Sequence, residues 1–157
     1  MLKKIKSIRR LILGKIRSIK LNSHNNITFG KNFFCGYRCF VASKNIISIG
    51  NNFYMGNNCH LSSNLTIGDN VMLGSSVAFV GGDHKIDNKD ILLNSSGRDK
   101  LKTTIIKDNV WVGHGAIIMH GVTIEKGSII AAGSVVTKNV PEYSIWGGNP
   151  AKLIKRR

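Results

Sequence analysis

An all-β parallel β-helix, a solenoid of about five coils, is the fold class this chain predicts, and three observations carry the prediction. Aliphatic residues recur six apart over most of the 157 residues. From Ile106 the hexads read IKDNVW, VGHGAI, IMHGVT, IEKGSI, IAAGSV and VTKNVP, each opening on Ile or Val with Val, Ala or Ser at the fifth place. Between the aliphatic positions stand turn formers such as Gly-Asn-Asn, Lys-Asp-Asn and Glu-Lys-Gly, so each hexad is a short strand and a corner. A strand alternates its faces, so in Val110-Trp111-Val112 the valines point inward and the tryptophan outward. Three such sides close one coil, and each coil buries its interior against the next.

The elements follow in order along the chain. Residues 1–22 form a segment of their own: Leu2, Ile5, Ile8, Ile12, Ile16 and Ile19 fall within one helical stripe, and eight lysines and arginines with no acid fill most of the remainder. This predicts a basic amphipathic helix, which either lies on an anionic inner leaflet through residues 1–20 or caps the open end of the solenoid. The repeat domain occupies 23–157. Its first hexads are FGKNFF and CGYRCF; after a two-residue slip near Ile46 and Ile47 come IGNNFY, MGNNCH, LSSNLT, IGDNVM and LGSSVA. Cys35 opens a hexad, and Cys39 and Cys59 hold fifth places, so all three thiols face the core. In this frame Tyr54, Met72, Trp111 and Ile129 point outward on one face. Phe40, His60, Ala78, Ile117 and Val135 do so on the next, and Ser48, Thr66 and Thr123 on the third. Two apolar outer stripes fit self-association or a ligand laid along the side. After Phe79 the frame is lost and it resumes at Thr104-Ile105-Ile106, so one corner is expanded into an inserted loop at about 80–103, long enough to be functional.

Composition bounds the partners. Lysine and arginine outnumber aspartate and glutamate 23 to 8, a formal charge of +15 that predicts an anionic partner. Nucleic acid is excluded as that partner because the few aromatics are not interleaved with the basic residues as a stacking platform requires. No run of aliphatics approaches the roughly 20 residues of a membrane span. Three cysteines, an odd number, and no secretory pattern predict a reduced, cytoplasmic setting. There is no His/Cys metal spacing and no phosphate-binding GxxxxGK[ST] loop, so neither metal nor nucleoside triphosphate is expected.

The stretch NVWVGHGAIIMHGVTIEKGSIIAAGSVVTKNVP, followed by GGNPAKLIKRR, resembles the C-terminal part of the hexapeptide-repeat acyltransferases, most of all the small sugar and xenobiotic O-acetyltransferases. The resemblance covers residues 27–157. It implies a left-handed coil, a homotrimer and acetyl-CoA as donor cosubstrate. It also implies a catalytic histidine near the start of the inserted loop, where this chain has His84 in VAFVGGDHKID. The donor's pantetheine arm would run beside Trp111, near Gly113 and His114, past Ala132 and Gly133, toward Thr137 and Lys138. Lys152 and Lys155, on a short C-terminal basic tail, would approach the adenosine phosphates. Lysines there keep the charge of the arginines common in the family but lose their bidentate geometry.

The chemistry then expected is direct acetyl transfer. A sugar hydroxyl is a poor nucleophile near neutral pH, and an imidazole can take its proton as the oxygen attacks the thioester. No serine stands in a G-x-S-x-G setting and no cysteine pairs with a histidine in sequence, which disfavours a covalent acyl-enzyme. A backbone carbonyl or a carboxylate must orient His84, and Asp83, Asp87 and Asp90 are all near it in sequence. Asp83 and Asn58, the latter beside His60, are the candidate acceptor contacts. His114 and His120 hold third places of consecutive hexads, exposed at corners, and His24 precedes the first coil. The reading is an acetyl-CoA-dependent O-acetyltransferase acting on a sugar, within bacterial surface-polysaccharide assembly. N-acetylation of an amino sugar or antibiotic, or a non-catalytic basic solenoid on anionic polymer or membrane, are the alternatives.

Overall fold

The chain alternates its faces because the hexad places one apolar residue at each end of a short strand, and the structure, a computed structural model, follows that frame. It describes residues 26–42 and 44–157; the segment 1–22 and His24 lie outside the described residues. Each turn passes through three sheets. The first holds β1 (Ile27–Phe29), β4 (Ile47–Ile49), β7 (Leu65–Ile67), β10 (Thr104–Ile106) and β13 (Thr123–Ile124), stacked in that order. The second holds β2 (Phe34–Cys35), β5 (Tyr54–Met55), β8 (Met72–Leu73), β11 (Trp111–Val112), β14 (Ile129–Ile130) and β16 (Ser144–Gly148), edged by β17 (Ala151–Arg156). The third holds β3 (Phe40–Val41), β6 (His60–Leu61), β9 (Ala78–Val80), β12 (Ile117–Met119) and β15 (Val135–Val136). All neighbours pair in parallel except β16 with β17.

Two details complete the expected solenoid. Because β16 pairs in parallel with β14, a further turn is begun beyond the fifth, and the solenoid has about six turns rather than five. The short C-terminal basic tail folds back as β17, antiparallel to β16, with a register shift between Ile145 and Trp146. Its residues outside Ala151 are exposed, yet their backbone is fixed by the sheet.

The register confirms the expected stacks. Tyr54, Met72, Trp111 and Ile129 are successive partners on the second sheet, and Phe40, His60, Ala78, Ile117 and Val135 on the third. The slip is also where the hexads put it. Ile27 aligns with Ile47 and Phe40 with His60, whereas later partners such as Ile47 and Leu65 follow the shorter repeat, so the extra residues sit in the corner before β4.

Inward residues form one continuous core, with Met55, Leu73, Phe79, Val112, Ile118, Ile130 and Val136 fully buried. Each such side chain contributes about 1.5–3 kcal/mol on removal from water. Cys35 and Cys59 are buried and half-buried Cys39 packs against the core, as the frame requires. The Cys39 thiol beside it, together with burial, pushes the Cys59 thiol well above the usual cysteine range, which keeps it protonated and unreactive. Corners are bound coil to coil. Asn32 donates to Asn52 and Asn52 to Asn70, at 2.8 and 3.0 Å, and all three adopt the left-handed backbone that asparagine tolerates.

Candidate active site

The expanded corner between β9 and β10 has few inward residues because its sequence abandons the six-residue pattern, and its apolar side chains Ile86, Ile91, Leu92 and Leu93 are exposed. Order comes instead from backbone pairing between its two limbs. His84 and Arg98 form an antiparallel bridge; Asp99 N–H donates to the Asp83 carbonyl at 2.8 Å, and Lys85 N–H to that of Gly97 at 3.2 Å. The Arg98 guanidinium adds a bond to the Gly82 carbonyl at 2.8 Å. This narrow neck ties the two limbs of the insertion together at His84.

The His84 side chain is half-buried, and its Nδ1 is buried with no hydrogen-bond partner among the described residues. A buried polar atom left so costs about 1–3 kcal/mol, and a catalytic role is one reason for such a cost to be kept. None of Asp83, Asp87 and Asp90, the carboxylates near it in sequence, bonds this nitrogen: all three are exposed, and the Asp83 carbonyl accepts the Asp99 N–H. Asn58 stands exposed at the corner after β5 with φ of 57°, a position its left-handed backbone accounts for.

The expected donor residues fall into two groups. Gly113 and His114 lie at one corner directly beneath Ala132 and Gly133 of the next coil. Gly113 donates to the Ile130 carbonyl and Gly133 to that of His114, both at 2.8 Å. Gly113 is required by this approach, since a Cβ there would lie 2.6 Å from the Ala132 nitrogen. Trp111, just before that corner, is exposed on the outer face of β11. The second group meets at the end of the solenoid, where Thr137, Lys138 and Lys152 share a cleft of about 200 Å³ with Trp146, Pro150, Ala151 and Leu153. Lys155, opposite Ile145 on β17, does not line it.

Trp146 lines this cleft and is a residue that the six-residue pattern does not single out. Its ring packs against the core, and its indole N–H is buried without a partner among the described residues. Its place in GGNPAK-flanking sequence gave a signal only if the chain folds back there as a strand. His120 is the other. It was expected exposed at a corner and is half-buried, with its Nδ1 accepting the Lys102 backbone N–H at 3.1 Å. With Asp99, Lys100 and Lys102 it lines an open cleft of about 360 Å³ beside the neck of the insertion.

Known proteins share this architecture. Residues 103–138 match the family model described as bacterial transferase hexapeptide (six repeats). The maltose O-acetyltransferase of Clostridium difficile 630 is 36% identical, over 84% of this chain and 67% of that one, with a TM-score of 0.66. The hexapeptide-repeat-containing acetyltransferase VCA0836 of Vibrio cholerae O1 biovar eltor, solved in complex with acetyl coenzyme A, is 30% identical over 78% and 69% with a TM-score of 0.64. This chain belongs to the hexapeptide-repeat acetyltransferase family. Among relatives known by sequence, the Schizosaccharomyces pombe acetyltransferase homologue C18B11.09c is 39% identical over 131 residues, 83% of this chain and 53% of its own length. The chain thus spans about half of that family member.

No helix among the described residues is long and apolar enough to cross a membrane. Among the same residues no three His, Cys, Asp or Glu side chains gather as metal ligands do.

Proposed function

We propose that this chain transfers an acetyl group directly from acetyl-CoA to a sugar hydroxyl, with His84 as general base. The observation that carries this is the imidazole itself, half-buried at the neck of the insertion with one ring nitrogen unpartnered. In the step, the hydroxyl proton passes to His84 while the oxygen attacks the thioester carbonyl. The C–S bond then breaks, and the imidazolium returns its proton to the departing thiolate. Kinship with a maltose O-acetyltransferase supports a sugar acceptor and transfer to oxygen.

The donor is read onto the C-terminal coils. Trp111, Gly113, His114, Ala132 and Gly133 offer a side wall for the pantetheine arm. The cleft of Thr137, Lys138 and Lys152 offers two cations and a hydroxyl to the phosphates. The outer stripes through Trp111 and Ile117 support a homotrimer that would cover them. A formal charge of +15 suits an anionic setting such as surface-polysaccharide assembly at the inner leaflet.

Two variants test the reading. His84→Ala should leave coenzyme A binding intact while acetyl transfer falls by about 10² to 10⁴, the usual range for a general base. A loss below tenfold, measured with chemistry limiting on a verified hydroxyl acceptor, would send the proton elsewhere. Lys152→Ala should raise the KM for acetyl-CoA about tenfold with kcat little changed, the value of one charge-assisted contact made equally in ground and transition states. Lys155→Ala, outside the cleft, should raise it less; the reverse order would move the phosphates off the cleft.

A further inference from the structure

We propose that His120 is a positioning residue for the reaction, a clasp that closes the neck of the insertion and so sets the place of His84. The inference rests on His84 being the base.

The clasp is built from the wall. His120 follows β12 in a turn that cannot drift, because the buried Thr104 hydroxyl donates to the Met119 carbonyl at 3.4 Å and accepts the Gly121 N–H at 3.2 Å. From that turn the imidazole reaches both ends of the insertion at once. On the outgoing limb, Val80 is in register with Met119, which sets Gly81 against the ring of the next residue, His120. A Cβ on Gly81 would lie 2.5 Å from the His120 Cβ and Cγ, so only glycine lets the chain pass this closely. On the returning limb, the Lys102 backbone N–H donates to Nδ1 at 3.1 Å, and a Cβ on Gly121 would touch the Lys102 side chain at 3.0 Å.

An accepting Nδ1 fixes the neutral tautomer with the proton on Nε2. Besides these two contacts, the insertion is held at its neck by the bridge of His84 with Arg98 and the Arg98 bond to the Gly82 carbonyl, while Ile86, Ile91, Leu92 and Leu93 are exposed. A general base must sit within hydrogen-bond reach of the hydroxyl it serves, and a misplacement of about 1 Å can cost roughly 10²-fold in rate. The wall therefore transmits its rigidity to His84 through one imidazole.

The test measures kcat, KM for acetyl-CoA and melting temperature in the full chain for four variants. His120→Ala should lower kcat about 10- to 100-fold with KM for acetyl-CoA unchanged. His120→Asn, which presents an amide oxygen at a similar reach to Nδ1, should restore most of that loss. Gly81→Ala should reproduce the fall in kcat with the His120 side chain retained, because the added methyl pushes the ring out of the clasp; this second variant keeps the inference testable if His120→Ala folds poorly. His84→Ala separates the two ideas. If it costs less than tenfold, the general-base reading fails and the clasp with it. If it collapses turnover while His120→Ala and Gly81→Ala keep kcat within about twofold, the clasp alone is wrong. A His120→Ala loss that follows the melting temperature and is not rescued by asparagine would also overturn it, leaving a packing role.

Discussion

The wall of the solenoid and the insertion at 81–103 are made by the same chain under opposite rules. In the wall nearly every strand buries at least one inward side chain, and hydrogen bonds such as Asn32 to Asn52 and Asn52 to Asn70 tie corner to corner. In the insertion Ile86 and Leu92 are each 76% exposed and the order comes from a few backbone bonds at the neck. The difference shows a division of labour. The wall is stable because each coil buries its neighbour, and its outward residues, Trp111 among them, are therefore free for ligand or partner. The insertion contributes little to stability, so its residues are free to carry chemistry, provided the wall holds the ends.

That contrast can be broken by substitution. The largest effect is expected for Phe79→Ala, the last fully buried residue before the insertion. It should destabilise by about 3–5 kcal/mol through lost burial and a cavity, read as a fall in denaturant midpoint. A change under about 1 kcal/mol would mean the coil collapses to fill the gap and the wall is softer than argued.

A pair of glycines sharpens the comparison. Gly74→Ala places a methyl 2.7 Å from the His114 backbone nitrogen of the coil above. Backbone cannot move aside without opening the stack, so a loss of about 1–3 kcal/mol is expected. Gly97, in the insertion, meets nothing within 4 Å and is held only by its φ of 76°. Gly97→Ala should therefore cost only about 1 kcal/mol of backbone strain. Equal losses in thermal unfolding would erase the distinction between packed and unpacked glycines.

The smallest effect is the most pointed. Leu92→Ser removes a large apolar side chain from the insertion, yet stability should change by less than about 0.5 kcal/mol, because that side chain is already in water. A larger loss would show that something covers the insertion in solution, as a trimer would.

How much was legible beforehand follows from the same division. In the wall, inward or outward direction is set by strand alternation, so the hexads alone placed Cys59 inside, Trp111 outside and Tyr54 over Met72. The break after Phe79 was legible as lost periodicity, and it marked His84 for attention. The neck was not legible, because His84 with Arg98 and Gly81 with His120 are long-range pairs that no local pattern announces. His120 could have been found by carrying the register one residue beyond Val80 and Met119.

The C-terminal region divides in the same way. The sequence by itself determined the repeat, its inward and outward faces, the slip, the insertion's limits and the basic character of the end. Those properties depend on a period of six and on residue type, both local. Only the tertiary structure decided that the end returns as an antiparallel strand, because that strand is held by hydrogen bonds to β16 rather than by any pattern of its own. From that return came the cleft that joins Lys152 to Thr137 and Lys138 while leaving Lys155 outside, and buries the Trp146 N–H without a partner among the described residues. The physical reason is that direction along a strand is a property of the chain, whereas convergence of distant side chains is a property of how strands are stacked.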